Sequence, residues 1–305
     1  MTTTRKARHI GDRFVRSALA ASLCATVFAA SCSAPRGATH AHSAALTTSE
    51  SWTRVATPLV FDQDVHGPFA CGPAALATAF AASGDSARRG IVERGDGVLA
   101  WSVEHFGARA SPTYGGDAQR FDPASGVCAE DLLVWANEWS LELGAPERVG
   151  LYLDRTADEP AADFAARVHG ILAESLARGA APVVRLRSFV PSYEPQRGAY
   201  LWTGVVGHWV TLVGVPSVLA PGALGFALEY ADPASGAVAS GYVHVDDVRT
   251  FVAAKGHAKE WEWIENSPFL VAHLPEQRTL GIGAQPWFLR TVVTLDHALV
   301  AAPAR

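Results

Sequence analysis

The stretch Gln63–Phe80, QDVHGPFACGPAALATAF, places a cysteine immediately before a predicted helix. The alanine-rich run after Gly72 favours a helix, and Pro73 fits the first helical position because the N–H that it lacks would have no partner there. Cys71 therefore stands at the positive end of a helix dipole, which favours a thiolate over a thiol. Gln63 lies close enough in sequence to donate an amide N–H to a developing oxyanion. The stretch predicts a nucleophilic cysteine with an oxyanion partner.

A histidine and a carboxylate follow at the ends of two predicted strands. His208 heads the apolar run GHWVTLVGV, and Asp232 ends the next strand, in YADPASG. Antiparallel neighbours bring these two ends together, so that Asp232 can orient the imidazole of His208 while His208 faces Cys71. The three side chains predict a Cys-His-Asp triad that attacks a carbonyl carbon.

Simpler interpretations of the same residues remain open. Asp232 precedes Pro233, and Asp-Pro is common in turns. His66 is nearer to the cysteine in sequence than the predicted base, and Asp246 and Asp247 are fallback carboxylates. The cysteine and histidine of the predicted triad could also be an ordinary buried thiol and a structural histidine, and the upstream glutamine a plain loop residue.

These motifs, in this order, resemble the C39-like family of papain-like cysteine peptidases. The resemblance covers roughly residues 55 to 245. It implies that Cys71 is the nucleophile, His208 the base, Asp232 the orienting carboxylate and Gln63 the oxyanion donor, in the hydrolysis of a peptide or protein substrate. It also implies a papain-like fold of the α+β class, with the nucleophile helix packed on a C-terminal antiparallel sheet. The order of the predicted elements, helices early and strands late, agrees with an α+β fold.

Two other functions are compatible with the same residues. An acyl transferase, such as a γ-glutamyl transferase of the phytochelatin-synthase-like or transglutaminase-like kind, uses the same triad but passes the acyl group to an amine. A catalytically inactive domain of this kind would instead serve as a binding module. Thiol reactivity separates the binding module from the enzymes, because the thiolate fraction controls the alkylation rate.

The N-terminal segment indicates export. Five basic residues precede Ser17–Ala30, an apolar run shorter than the ~20 residues that span a bilayer, as in a secretory signal. Small residues before Cys32 resemble a bacterial lipobox, which predicts lipidation of Cys32 and a membrane-anchored lipoprotein of the bacterial cell envelope. Plain cleavage, after Ala34 for example, would give a periplasmic or secreted protein. We therefore expect a signal peptide over residues 1–31.

Beyond the signal, we expect a flexible tether over residues 32–50 and one domain over residues 51–305. The part after about residue 255 is predicted to be a C-terminal extension, for which the sequence offers no motif. A mature chain of this size is long enough to bury a sizeable core.

Charge and cysteine content narrow the possible partners. Removing residues 1–31 takes away five of the 25 basic and one of the 30 acidic residues, which leaves a net charge of −9 and no basic patch for a nucleic acid. The histidines are scattered, so we expect no metal and no other cofactor. Cys71 and Cys128 are the cysteines of the predicted domain. A disulfide between them stays open, although an incidental buried thiol is the simpler interpretation of Cys128.

Overall fold

The computed structural model describes residues 51–56, 59–196, 198–246, 251–253, 262–264, 269–274 and 292–303. The predicted signal, Cys32 and the tether lie outside these residues. None of the helices in the described part of the chain is long and apolar enough to cross a membrane.

The described ranges contain five α-helices: α1 (Cys71–Ala81), α2 (Asp85–Val92), α3 (Val98–Ser102), α4 (Ala129–Leu143) and α5 (Ala161–Ala177). The helix α1 begins at Cys71 itself, so Pro73 lies in the first turn but two residues further in than predicted. Its missing N–H still costs nothing there. The helix α5 buries Phe164, Val168 and Leu172, which recur at helical spacing.

Ten strands are formed within the same ranges: β1 (Trp52–Arg54), β2 (Arg148–Tyr152), β3 (Val183–Glu194), β4 (Ala199–Pro216), β5 (Gly225–Asp232), β6 (Ala237–Val245), β7 (Phe251–Ala253), β8 (Glu262–Ile264), β9 (Leu270–His273) and β10 (Val292–Ala301). Six of them pair in the cyclic order β3-β4-β5-β6-β9-β10, and β10 returns to β3, with every pairing antiparallel. The result is a closed six-stranded barrel. The strands β1 and β7 pair with β4, β2 pairs with β10, and β8 pairs with β7.

The closed barrel overturns the predicted fold. The papain-like arrangement of the α+β class, with a helix on an open sheet, is wrong, because the described chain is mostly β and its sheet has no free edge where β10 meets β3. The register of that closure pairs Leu295 with Leu186 and Leu299 with Val183. Segments more than a hundred residues apart carry no local signal for such a pairing.

Two segments form strands although their local composition favours another structure. Residues 190–198 are rich in Pro, Tyr and Gly, which favours a loop, but their first half continues β3 in a long hairpin with β4 that pairs Tyr193 with Tyr200. Phe251–Ala253 lie in a stretch whose sequence favours a short helix, but they form the strand β7 beside β4. In both places a pairing partner elsewhere in the chain overrides the local preference.

The strand β10 contains a β-bulge between Leu295 and His297, in the wall of the barrel. Val293 and Leu295 before it, and Ala298 and Val300 after it, belong to one apolar core that the strands of the barrel share with α5. The spacing of inward residues thus jumps from two to three between Leu295 and Ala298, and the pairing register with β3 shifts there. A bulge re-aims the side chains at its own position, and here the bulged segment contains Asp296.

The helix α1 packs against the outer face of the barrel. All of its eleven residues are buried, in a second apolar core that it shares with α4 and with Trp209 and Val183 of the barrel wall. The hydroxyl of Thr211 in β4 donates to the carbonyl oxygen of Ala75 at 2.6 Å. This contact fixes the height of the helix along β4, and therefore the position of Cys71 relative to His208.

Candidate active site

The structure brings Cys71, His208 and Asp232 together in one buried row. His208 Nε2 lies 2.7 Å from Asp232 Oδ1, and both side chains are almost completely buried. Cys71, the first residue of α1, lies close enough to the imidazole of His208 for the ring to lower the pKa of the thiol. Since Nε2 is engaged by Asp232, the nitrogen that faces the sulfur is Nδ1.

The environment favours a thiolate beside an imidazolium. Burial alone raises the pKa of Cys71, but the hydrogen bond and the charge of His208, together with the backbone N–H groups of Trp209 and Gly72, outweigh it and lower the pKa below the usual value. Burial likewise depresses the pKa of His208, but the hydrogen bonds that its ring makes to Asp232 and Cys71, together with the charges of these two groups, overcome this and raise the pKa to about 9. A proton that leaves the sulfur therefore has a stable place on the imidazole.

Asp232 combines both roles that the sequence left open. Its carboxylate meets His208, and the same Oδ1 atom accepts the backbone N–H of Ala234 at 3.0 Å. Its carbonyl oxygen accepts the N–H groups of Ser235 and Gly236, which closes the turn after β5. The turn thus holds the carboxylate in place for the histidine.

The alternative base and the alternative carboxylates named in the sequence analysis are not part of this row within the described residues. The ring of His66 packs near Phe121, with 6.0 Å between ring centroids, while the sulfur's imidazole partner is His208. Asp246 is buried at the end of β6. Asp247 lies outside the described residues, as does Cys32.

Gln63 is buried and rigidly held beside the helix start. Its backbone N–H donates to Pro233 O at 3.0 Å, which ties it to the residue after Asp232, and its Nε2 donates to Pro68 O at 2.9 Å. That amide nitrogen has a second N–H to offer. Within the described residues no hydrogen bond joins Gln63 to Cys71, so its role as an oxyanion donor stays a prediction.

A cleft of about 540 Å³ opens onto the sulfur and the imidazole. Pro68, Phe69 and Cys71 form one wall, and residues 125–127, in the loop before α4, form a second. The third wall consists of residues 206–209 of β4 with Arg185 and Arg187 of β3. A second cavity of about 660 Å³ shares residues 125–127 with this cleft and reaches Cys128. The cleft at Cys71 is the one that exposes the reactive atoms to a substrate.

Cys128 offers a built-in comparison for Cys71. Both cysteines are free, so the pair does not form the disulfide that the sequence left open. Burial dominates at Cys128 and raises its pKa to about 11, although it stands at the start of α4 and near a backbone N–H. A helix N-terminus alone therefore does not make a reactive thiol here, and the histidine partner makes the difference.

Sequence reasoning missed the two arginines of the cleft and their carboxylate partner, Asp296. Arg185 and Arg187 stand two apart with Leu186 between them, and this alternation was a signal that they share one face of β3. Nothing local connects them to Asp296 in β10.

The chain was compared with models of protein families and with curated proteins. A scan against models of protein families matches none of them, and a search of curated proteins finds no relative of this chain. In the described part of the chain, no group of three or more His, Cys, Asp or Glu side chains is arranged to hold a metal ion.

Proposed function

We propose that this chain is a cysteine peptidase that hydrolyses a peptide amide bond through an acyl-thioester on Cys71. The observation that carries the proposal is the buried row of Cys71, His208 and Asp232 at the floor of an open cleft, with the pKa of the thiol lowered and that of the imidazole raised. Membership of the C39-like group is part of the proposal and depends on the sequence motifs alone.

Acylation would begin with the thiolate. The sulfur attacks the scissile carbonyl carbon, and the new oxyanion takes hydrogen bonds from backbone N–H groups at the start of α1 and from Gln63. When the intermediate collapses, the C–N bond breaks and the leaving amine takes the proton from the imidazolium of His208. The products of this step are the free amine, the thioester on Cys71 and a neutral His208.

Deacylation would use the neutral imidazole as a base. A water molecule attacks the thioester carbon while His208 takes its proton, and the C–S bond then breaks to release the acid. The sulfur leaves as a thiolate beside the imidazolium, which restores the starting pair. Asp232 holds the ring and stabilises its positive charge throughout.

A peptide library read by mass spectrometry tests the proposal. We expect the purified wild-type protein to cleave a set of peptides, Cys71→Ala and Cys71→Ser to cleave none, and the matched control Cys128→Ala to cleave at the wild-type rate. Thermal unfolding of each variant verifies folding. An inactive wild type, or an active Cys71→Ala, would contradict the proposal. A second arm supplies amine acceptors, and transfer product in place of free acid would identify an acyltransferase.

Thiol reactivity tests the site without any substrate. At pH 7 we expect iodoacetamide to modify Cys71 faster than Cys128 by at least roughly a hundredfold, because the two pKa values are shifted in opposite directions. Peptide mapping separates the two modified cysteines. Equal rates would indicate an inactive binding module.

The proposed setting is the bacterial cell envelope, on the evidence of the basic and apolar N-terminal segment and Cys32. Mass spectrometry of the mature N-terminus would show a diacylglyceryl cysteine at position 32 for a lipoprotein. A free N-terminus a few residues later would indicate a periplasmic or secreted enzyme.

A further inference from the structure

The cleft beside Cys71 carries more positive charge than its own residues neutralise. Arg185 donates to both carboxylate oxygens of Asp296, at 2.8 and 2.9 Å. Arg187 Nη1 lies 3.8 Å from Asp296 Oδ2, beyond hydrogen-bond length, and makes no other ion pair or hydrogen bond within the described residues. One carboxylate thus serves two guanidinium groups.

The other charged groups around the arginines leave this excess in place. The negative charge of Glu130 helps to raise the pKa of Arg185, and the Glu130 carboxylate accepts a hydrogen bond from the hydroxyl of Tyr152. Burial is the main cause that lowers the pKa of Arg187, and the charge of Arg185 adds to it against the pull of Asp296. The thiolate of Cys71 and the imidazolium of His208 cancel each other. The carboxylate of Asp232 is bound to the other nitrogen of that imidazole and is not among the residues that line the cleft. None of the described residues that line the cleft is acidic.

The backbone leaves Arg187 room to lie across β4. Gly207 pairs with Arg187 across the two strands, and Gly204, three residues before Gly207, pairs with Phe189. A Cβ atom at Gly204 would stand 3.1 Å from Arg187 Nε. The missing side chain therefore lets the guanidinium lie close to β4, on the wall where His208 is placed. Arg185 packs over Trp209 on the same wall, with 5.8 Å from its Cζ atom to the ring centroid.

We infer that the substrate carries a carboxylate close to the scissile amide, and that Arg187, which lies near Asp296 in the space left by Gly204, binds it. The inference rests on the proposed peptidase function, since a peptide offers anionic groups only as acidic side chains or as its C-terminal carboxylate. A guanidinium binds a carboxylate with two parallel hydrogen bonds, which Arg187 has free. The chain as a whole is acidic, so the cleft is a local exception that attracts an anion.

Matched peptides test the inference in the wild-type protein. Peptides that differ only in Glu or Gln, at successive positions on either side of the cleaved bond, are compared by kcat/KM. Each is also made with a free or an amidated C-terminus. We expect at least roughly a tenfold preference for the carboxylate at one position. A preference for Glu assigns the site to an acidic side chain, and a preference for the free C-terminus assigns it to the chain end.

Three variants connect that preference to Arg187. Arg187→Gln should reduce the ratio of kcat/KM for the carboxylate peptide to kcat/KM for the neutral peptide to about one. Arg187→Lys should retain part of the preference because the positive charge stays. Arg88→Gln, on the exposed face of α2, is the control and should keep the wild-type ratio. A wild type without the preference, or a preference that survives Arg187→Gln, would overturn the inference.

A second measurement needs no peptide cleavage. Anionic iodoacetate and neutral iodoacetamide alkylate the same sulfur, so the ratio of their rates at Cys71 reports the positive field in the cleft. We expect Arg187→Gln to lower this ratio roughly three- to tenfold relative to wild type and Arg88→Gln. If the ratio falls but no peptide is cleaved, the peptidase proposal fails and the anion site stands. If peptides are cleaved without charge preference and the ratio is unchanged, the peptidase stands and the anion site fails.

Discussion

His208 Nε2 lies 2.7 Å from Asp232 Oδ1, in a place where both side chains are nearly inaccessible to solvent. Solvent screens a pair on the surface, but this pair is shielded, so the carboxylate acts strongly on the imidazole. It also selects which ring nitrogen is left for the sulfur. The reactivity of Cys71 therefore depends on a residue that does not touch it.

Replacing Asp232 by Asn should lower the pKa of His208 from about 9, because the amide keeps a hydrogen-bond acceptor but loses the charge. With a weaker imidazolium partner, the pKa of Cys71 should rise. The pH profile of iodoacetamide alkylation then shifts to higher pH, and kcat/KM for peptides falls at least about tenfold. Asp64→Asn, at an exposed position, is the control, and an unshifted profile in Asp232→Asn would show that the carboxylate only forms the turn.

Hydrolysis and alkylation should differ in their dependence on pH. Hydrolysis needs the thiolate and the imidazolium together, so it should rise with pH through the lowered pKa of Cys71 and fall through the pKa of His208 near 9. Alkylation needs only the thiolate, so it should not fall above pH 9. Stopped assays over pH 5–10.5 check both limbs, and parallel declines would point to unfolding instead.

Gln63→Ala should lower kcat about 10²- to 10³-fold if the amide donates to the oxyanion, with a much smaller change in KM. The same side chain also donates a hydrogen bond to Pro68 O, so a loss of activity caused by a displaced loop has to be distinguished from the loss of an oxyanion donor. The alkylation rate of Cys71 provides this separation, because alkylation forms no oxyanion and should stay near the wild-type rate. A loss of both rates would assign Gln63 to the support of the loop.

Gly72→Ala should damage the site next to the nucleophile. A Cβ atom there would lie 2.5 Å from Val127 Cγ1 and 3.3 Å from Trp209 Cδ1, so the cleft wall and β4 would have to move. We expect a loss of about 1–3 kcal/mol in the free energy of unfolding and a slower alkylation of Cys71. The control is Gly97→Ala, where a Cβ atom meets nothing within 4 Å. Urea unfolding followed by tryptophan fluorescence measures the first effect.

Thr211→Val should remove the hydrogen bond that joins β4 to Ala75 O in α1 while keeping the shape of the side chain. The expected cost is roughly 1 kcal/mol in the free energy of unfolding, with a further loss of kcat because the spacing of Cys71 and His208 relaxes. Thr211→Ser keeps the hydroxyl and should retain most of kcat. If both variants lose kcat equally, packing of the methyl group and not the hydrogen bond sets the spacing.

Local patterns in the sequence sufficed to predict the elements that carry the proposed triad. The alanine-rich run after Cys71 is a helix because most of its residues, alanine and leucine, favour that conformation on their own. The strand ending at Asp232 and the turn after it follow from an apolar run and from Gly236, whose φ of 63° suits glycine. The proximity of His208 to Asp232 followed from the pairing of neighbouring strands, which is also a short-range relationship.

The tertiary structure alone decided the barrel, the cleft and its charge. The strand β10 pairs with β3 and β9 across long stretches of chain, and the bulge that it carries brings Asp296 to Arg185, 111 positions away. Such contacts depend on which sheet edges meet once the whole core is buried, and no residue near Arg185 encodes that choice. The sequence by itself therefore determined a thiol at a helix start, with a histidine and a carboxylate in reach. The closed barrel determined which side chains form the cleft around these three residues, because the burial of its apolar interior sets the long-range strand pairings.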